Sequence, residues 1–275
     1  MTSKPRRWLI TGAAAGLGRA LAEAVIAQGD EVVATSRSTG PLADLGAAQV
    51  LQMDVTNAAQ VRACVADAVA GGGIDVLVNN AGHGLVGALE ELSDAELQAV
   101  IGTNVIGALA VTRAVLPHMR SRRSGHIVQM SSVGGVVGNP GHAAYALTKF
   151  ALEGFSEALA GEVAPFGIRV TIVEPGPFRT AFAGRSMRFS TAIPDYADGP
   201  AGTLRARMRD QDGVQPGDPA LAAEAIITTV RAESAPLRLP LGEQAVNRIR
   251  MKLERQLADL AETAALSLST SFAST

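Results

Sequence analysis

Tyr145 and Lys149 stand four residues apart in the run YALTK. On a helix that spacing puts the phenol and the ammonium one turn from each other on the same face. A free phenol ionises near pH ~10, and each unit of lowering requires about 1.4 kcal/mol of preferential stabilisation of the phenolate. A neighbouring cation supplies such a contribution. A phenol tuned in this way can protonate a carbonyl oxygen or take the proton of an alcohol. Ser131 and Ser132 follow the apolar run HIVQM, and a hydroxyl at the end of such a run can donate a hydrogen bond to the same oxygen. Alternation along an extended chain lets only one of the two serines face it.

A second cluster of chemically loaded residues is TGAAAGLG, Thr11 to Gly18, between an apolar run and a helical pattern that reaches Ala27. Gly12, Gly16 and Gly18 permit a tight turn and a close backbone approach. The free N–H groups at the start of the following helix favour a pyrophosphate, so a dinucleotide is expected here. His83 has no second ligand at a metal-binding spacing and reads as a neutral wall residue. No His/Cys cluster is present, and no metal is expected.

To bring these groups together, the chain needs a scaffold whose loops meet at one edge. Apolar runs at 8–11, 31–35, 50–53, 76–79, 126–130 and 170–174 alternate with longer segments of Ala, Leu and Glu. That alternation predicts an α/β fold, a single-domain, Rossmann-type doubly wound parallel sheet of about seven strands with helices on both faces, spanning 1–275. The seventh strand is expected at 237–239, after a helix that begins near Pro219. Ser93 to Glu96 reads as a helix-capping sequence, with Asn104 inside the helix it starts. The stretch 177–218, rich in Pro, Gly, Arg and Asp, is too long for an ordinary connection and is expected to be a substrate loop or lid. A C-terminal helix is expected over 243–260, with Ile249, Leu253, Leu257 and Leu260 on one face for core or subunit packing. The tail LSLSTSFAST is expected to fray.

Basic and acidic residues nearly balance, 24 against 26. Such a chain has no electrostatic footprint for nucleic acid or an anionic membrane. Apolar runs are too short for a signal-peptide core or a membrane span, and a soluble cytoplasmic protein is expected. Cys64 is alone and reads as an inert thiol.

The glycine spacing G-x-x-x-G-x-G, followed in order by Asn79-Asn80-Ala81-Gly82, Asn104 in TNVIG, Ser131-Ser132, Tyr145-x-x-x-Lys149 and Pro175-Gly176, resembles the short-chain dehydrogenase/reductase family. Five spaced motifs over most of the chain carry the resemblance. It implies Asn104, Ser132, Tyr145 and Lys149 as the catalytic set. Ser132 would orient the substrate, and Lys149 would hold the nicotinamide ribose while tuning the phenol. Asn104 would hold a water that relays protons from the lysine. The cofactor would be bordered by Gly12, Gly16, Leu17, Gly18, Asp54, Asn80, Ala81, Gly82, Tyr145, Lys149, Pro175, Gly176 and Thr180. Asp54 would contact the adenine, although an isolated Asp equally caps a helix. At the end of the second strand, a carboxylate would favour NAD by accepting bonds from the ribose hydroxyls. Ser36 stands there instead, and Arg37 can pair with a 2′-phosphate, so NADP(H) is the expected cofactor.

The reaction implied is reversible hydride transfer between NADPH and a ketone or aldehyde. EPGPFRT and LRLPLG resemble a bacterial branch similar to hydroxysteroid and retinol dehydrogenases, which suggests a bulky apolar substrate. Phe178, Phe182, Met187 and Phe189 are candidates to line its pocket. Arg185, Arg188, Arg205, Arg207 and Arg209 read as a solvated lid surface, with recognition of an acidic or carrier-linked substrate as the alternative. Other readings are an NAD-dependent alcohol dehydrogenase, a non-catalytic NADP(H)-binding sensor or scaffold, and a structural subunit. The resemblance also implies a homodimer or homotetramer built on the helices that carry Asn104 and Tyr145.

Overall fold

The computed structural model describes residues 5–182, 184–210 and 212–272. Its first strand, β1 (Arg7–Thr11), is buried along its whole length, as a continuous apolar run in the centre of a parallel sheet must be. The other elements follow as α1 (Gly16–Ala27), β2 (Glu31–Ser36), β3 (Gln49–Gln52), α2 (Ala58–Ala70), β4 (Val76–Asn79), β5 (Gly84–Val86), α3 (Asp94–Ile101), α4 (Ala108–Arg122), β6 (Gly125–Met130), α5 (Ala143–Val163), β7 (Ile168–Pro175), β8 (Met187–Phe189), α6 (Pro200–Asp210), α7 (Pro219–Arg231), β9 (Arg238–Leu241) and α8 (Glu243–Leu268).

Seven strands form one parallel sheet in the order β3-β2-β1-β4-β6-β7-β9. The expected α/β architecture is therefore present. Alternation along β1 sends Trp8 and Ile10 to one face, packed with Leu21 and Val25 of α1 and Ile226 and Ile227 of α7. Leu9 goes to the other face, with Val65 of α2, Val111 and Val115 of α4 and Leu159 of α5. The strand order reverses between β1 and β4, so the loops after these two parallel strands diverge and leave a crevice at their carboxyl ends.

Three elements depart from expectation. The helical run from 94 to 122 is interrupted by a π-turn at Gly102–Gly107, which holds Asn104. By length and composition, Asp94–Arg122 could cross a membrane. Its apolar side chains Val111, Val115 and Met119 are instead fully buried against the sheet. The C-terminal helix does not stop at 260 but continues to Leu268, taking in the start of the tail expected to fray. The last three tail residues, 273–275, lie outside the described residues.

The 177–218 segment is not an irregular loop. It carries β8, which pairs in parallel with β5, and the helix α6, and its ends are joined by a bridge between Phe178 and Gly217. Asp218 then caps α7, its carboxylate accepting from the Ala220 amide at 2.8 Å, with Pro219 in the first turn as expected.

Candidate active site

Gly12 has φ +65°, and a Cβ there would lie 2.9 Å from Cα of Ala81. Both facts demand glycine. At Gly18 a Cβ would lie 2.7 Å from the Gly12 carbonyl and collide with the Asn80 side chain. That side chain fills the space beneath the loop, its Nδ2 donating to the carbonyls of Thr11 at 2.9 Å and Gly12 at 3.1 Å. Thr11 returns the tie, its hydroxyl accepting from the amides of Asn80 and Ala81 at 2.9 and 3.0 Å. The loops after β1 and β4 are thus one hydrogen-bonded unit. Above it α1 begins at Gly16, and Ala15 before it offers no side-chain cap, leaving its first amides free for an anion.

Arg37, exposed just beyond β2, and Asp54 face the same cavity as this loop. Asp54 Oδ1 accepts from the amide and hydroxyl of Thr56 at 2.9 and 2.7 Å, so it also braces a turn. Those bonds, with the nearby Arg37 charge assisting, hold its carboxyl below the usual carboxylate range. Thr180 sits against Gly16, where a Cβ would come 3.6 Å from the threonine Cβ. Gly176, directly after β7, donates its amide to the Leu241 carbonyl at 2.9 Å.

Tyr145 and Lys149 lie on one face of α5, both buried, at the other side of the cavity. Lys149 Nζ donates to the Met130 carbonyl at 2.7 Å and lies 5.7 Å from the centre of the Tyr145 ring. Burial pushes the lysine down to about 8, with Glu153 one turn further along α5 opposing that shift. The expectation of a lowered phenol is not met by the chain alone: burial pushes Tyr145 up to about 12, with the Ser132 hydroxyl drawing it the other way. Withdrawal from water raises the cost of the phenolate more than the neighbouring residues reduce it.

The two serines part as alternation requires. A Cβ on Gly134 would sit between the Tyr145 ring and the Ser132 hydroxyl, at 3.2 and 3.5 Å. One on Gly135 would meet Ser131 Oγ and the Glu153 side chain instead. Ser132 therefore faces the phenol and Ser131 faces α5.

Among the described hydrogen bonds, the Asn104 side chain makes none directly to Lys149. Its Oδ1 accepts from the His83 amide at 3.0 Å, and its Nδ2 donates to the His83 carbonyl at 2.9 Å and the Thr148 hydroxyl at 3.1 Å. It ties the π-turn to the loop after β4 and to α5. His83 itself is pushed down to about 4, first by burial and then by Arg188, Arg37 and Lys149, and so is neutral as expected.

Apart from Gly18 and Asn104, which lie behind its wall, the expected site residues border one cavity of about 1270 Å³, which runs from Gly12, Gly16 and Arg37 to Ser132, Tyr145 and Lys149. Residues 6–189 match the family model for short chain dehydrogenases. This chain belongs to that family. A solved structure of a short-chain dehydrogenase from Streptomyces avermitilis is 45% identical, with a TM-score of 0.92 over 98% of this chain and 100% of that one. "Oxidoreductase BOA17" of Botryotinia fuckeliana is 39% identical over 246 residues, 87% of this chain and 89% of its own. "3-ketodihydrosphingosine reductase" of Bacteroides thetaiotaomicron is 40% identical over 243 residues, 87% of this chain and 88% of its own. The activity class of this short-chain dehydrogenase is accordingly that of a hydride-transferring oxidoreductase.

Its lid departs from the solvated surface expected at one arginine, while Arg185, Arg188, Arg207 and Arg209 are exposed. Arg205 is nearly buried, donating to Glu91 Oε2 at 2.7 Å and to the Ser190 carbonyl at 2.6 Å. Arg209 stacks on the Phe189 ring, 5.0 Å from its centre. Arg185, Arg188 and Arg207 face the cavity, as do Phe178, Phe182 and Met187. Phe189 does not; it packs with Val86, Met187 and Leu204 under the lid. Phe182 lies 6.1 Å from the Tyr145 ring. Sequence reasoning missed Glu91, Asn139, His142 and Arg248, because their partners are scattered along the chain and no local pattern marks them.

Proposed function

We propose that this chain is an NADP(H)-dependent carbonyl reductase, and in the reverse direction an alcohol dehydrogenase, acting on a ketone or aldehyde with an apolar body. The observation that carries the reading is the shared cavity: a glycine loop fitted for a pyrophosphate at one side, and a buried phenol beside a serine hydroxyl and a lysine at the other. The cradle fits a dinucleotide, since a side chain at Gly12 or Gly18 would fill it and the uncapped start of α1 offers amides to phosphate. Arg37, exposed and without a carboxylate partner among the described ion pairs, would hold the 2′-phosphate. When bound, the reduced nicotinamide supplies the hydride.

The remaining steps belong to the protein. Ser132 donates a hydrogen bond to the carbonyl oxygen and holds it beside Tyr145. Protonated throughout the physiological range at a value of about 12, Tyr145 gives its proton to that oxygen as the charge develops. Lys149, fixed by the Met130 carbonyl, places a positive charge near the phenol and offsets the phenolate that results. Asn104 acts through position, keeping the loop after β4 in register with α5. The relative named for 3-ketodihydrosphingosine reduction supports a ketone on a long apolar chain as the substrate class.

A homo-oligomer belongs to the same reading. Ile106, Leu147 and Phe150, on the helices that carry Asn104 and Tyr145, and Leu253, Leu257 and Leu260 on α8 are all exposed. Light scattering on the purified chain tests it, a monomeric mass at micromolar concentration being the adverse result.

The direct test of the activity follows nicotinamide absorbance with NADPH and then NADH against ketones, aldehydes, steroids and quinones. Tyr145→Phe should lose roughly 10²–10⁴-fold in turnover while binding NADPH unchanged. Arg37→Asp should shift preference toward NADH. Equal use of the two cofactors by the wild type would remove Arg37 from the phosphate site, and tight NADPH binding without turnover on the whole panel would favour a sensor.

A further inference from the structure

The chain as a whole is nearly neutral, but the wall of its cavity is not. Arg37, Lys149, Arg185, Arg188, Arg207 and Arg248 face it, against one carboxylate, Asp54. Cations gathered around a partly enclosed space without counter-charges repel each other and concentrate anions there. On the reading above Arg37 and Lys149 are accounted for by the cofactor and the phenol. Arg188 is offset in part, since its charge helps to hold Glu96 below the usual range.

Arg207 and Arg248 have no such partner. Neither forms an ion pair among the described residues. They come from different elements, Arg207 from α6 in the lid and Arg248 from the start of α8, yet they act on the same neighbour. Burial and then both arginines push His142 down to about 4. That ring lies 5.6 Å from the Tyr145 ring, which puts the pair on the proton-donor side of the cavity rather than at the glycine loop. Arg248 also donates to the Asn139 amide oxygen, which fixes its guanidinium. The two guanidinium groups repel each other: burial first, and then Arg207, lower the pKa of Arg248. Two cations from separate elements thus line one cavity, with Asp54 the one carboxylate in its described lining, and a bound anion would offset their repulsion.

We propose that Arg207 and Arg248, with the Asn139 amide beside them, form an anion subsite at the substrate end of the cavity. The substrate is then a ketone or aldehyde whose apolar body lies along Phe178, Phe182 and Met187 and whose end carries a carboxylate, sulfate or phosphate. This assignment rests on the carbonyl-reductase reading for the reacting group, but the anion subsite itself can be tested without turnover.

The test is calorimetric binding to the full chain of an oxo-fatty acid, its primary amide, and the matching alkyl sulfate and alkyl phosphate. The proteins compared are the wild type, Tyr145→Phe and the double variant Arg207→Gln/Arg248→Gln. At least one anionic head is expected to bind roughly 10-fold or more tightly than the amide, about 1.4 kcal/mol, to both the wild type and Tyr145→Phe. The rank of the three heads identifies the source of the negative charge. In the double variant the preference should collapse toward unity. Arg207→Gln alone, at an exposed helix position, should move in the same direction and guards against misfolding of the double variant. If no anionic head outbinds the amide, the subsite does not exist. A preference that persists in the double variant places the anion on the cofactor's phosphate ground and overturns the assignment. Absence of turnover with any carbonyl, alongside the expected binding pattern, would remove the reductase reading and leave the subsite standing.

Discussion

The floor of the cavity and its lid are held by different forces. Beneath the glycine loop no ion pair occurs among the described residues: Thr11, Asn80 and the backbone of Gly12 and Ala81 interlock through neutral hydrogen bonds and contacts too close for a Cβ. The lid is clamped by charge. Glu91, its side chain 2% exposed, accepts from the amides of Ala88 at 2.7 Å and Ile193 at 2.9 Å and from Arg205 at 2.7 Å. Below the clamp lies only a small apolar cluster, with Val86, Met187 and Leu204 at its centre. A floor built from backbone geometry has one arrangement. A lid held by the Arg205–Glu91 pair, a small apolar cluster and a two-stranded bridge is expected to open as a unit without disturbing the main sheet.

The largest effect that would break this contrast is Glu91→Ala. It strands the Arg205 charge and should cost the lid about 3–5 kcal/mol. Hydrogen exchange should then accelerate across 187–196 while β1 stays protected and cofactor affinity is unchanged. Equal loss of protection in β1 would mean that lid and sheet open together. The acid side of the clamp follows in sign. Burial pushes the Glu91 carboxyl up, but the Ile193 and Ala88 amides and Arg205 outweigh it and hold it below the usual range. The clamp's stabilisation is therefore complete above the ordinary glutamate value and is lost as pH falls through the lower folded one, so the lid should loosen first on acidification.

Gly18→Val should act on the floor alone. Forcing a side chain against Asn80 and the Gly12 carbonyl costs about 3 kcal/mol, to be seen as a cofactor dissociation constant weakened on the order of 100-fold. Lid exchange rates should not change.

Glu174→Gln tests the ground under both regions. This buried carboxyl of β7 is pushed up to about 7, by burial first and by Glu153 next, with Arg238 only partly opposing. Between its ordinary value of 4.5 and about 7 the folded chain holds a proton that the unfolded chain has released. Stability therefore falls as pH rises through that window and stays reduced above it. The glutamine variant should be more stable by on the order of 2 kcal/mol near pH ~8 and no more stable near pH ~4. Thermal unfolding at the two pH values is the measurement.

Smallest is Asp218→Ala, which removes the cap where the lid rejoins α7. A loss of about 1 kcal/mol in global stability, with no change in lid exchange, would show that the lid's end is fastened by the helix rather than the reverse.

Most of the fold and of the floor was legible because each depends on residue types with few alternatives. Apolar runs broken by Ala-rich segments demand a covered parallel sheet, and Gly12 needs a positive φ. The four-residue spacing of Tyr145 and Lys149 survives in any helix. Other features had no local signal. Arg205 reads like its neighbours in an Arg-rich stretch, and it becomes the buried clamp only because Glu91, 114 residues earlier, is folded against it. The π-turn at Asn104 leaves a sequence that looks helical throughout.

The sequence by itself determined the sheet, the glycine loop and the order of the motifs that place this chain among short-chain dehydrogenases, since periodicity, backbone freedom and short-range spacing are properties of neighbouring residues. Only the tertiary structure decided which arginine is buried and that Arg207 and Arg248 line one cavity with His142. It also decided the ionisation of Tyr145. Burial and distant charges set those outcomes, and both come from residues far away along the chain.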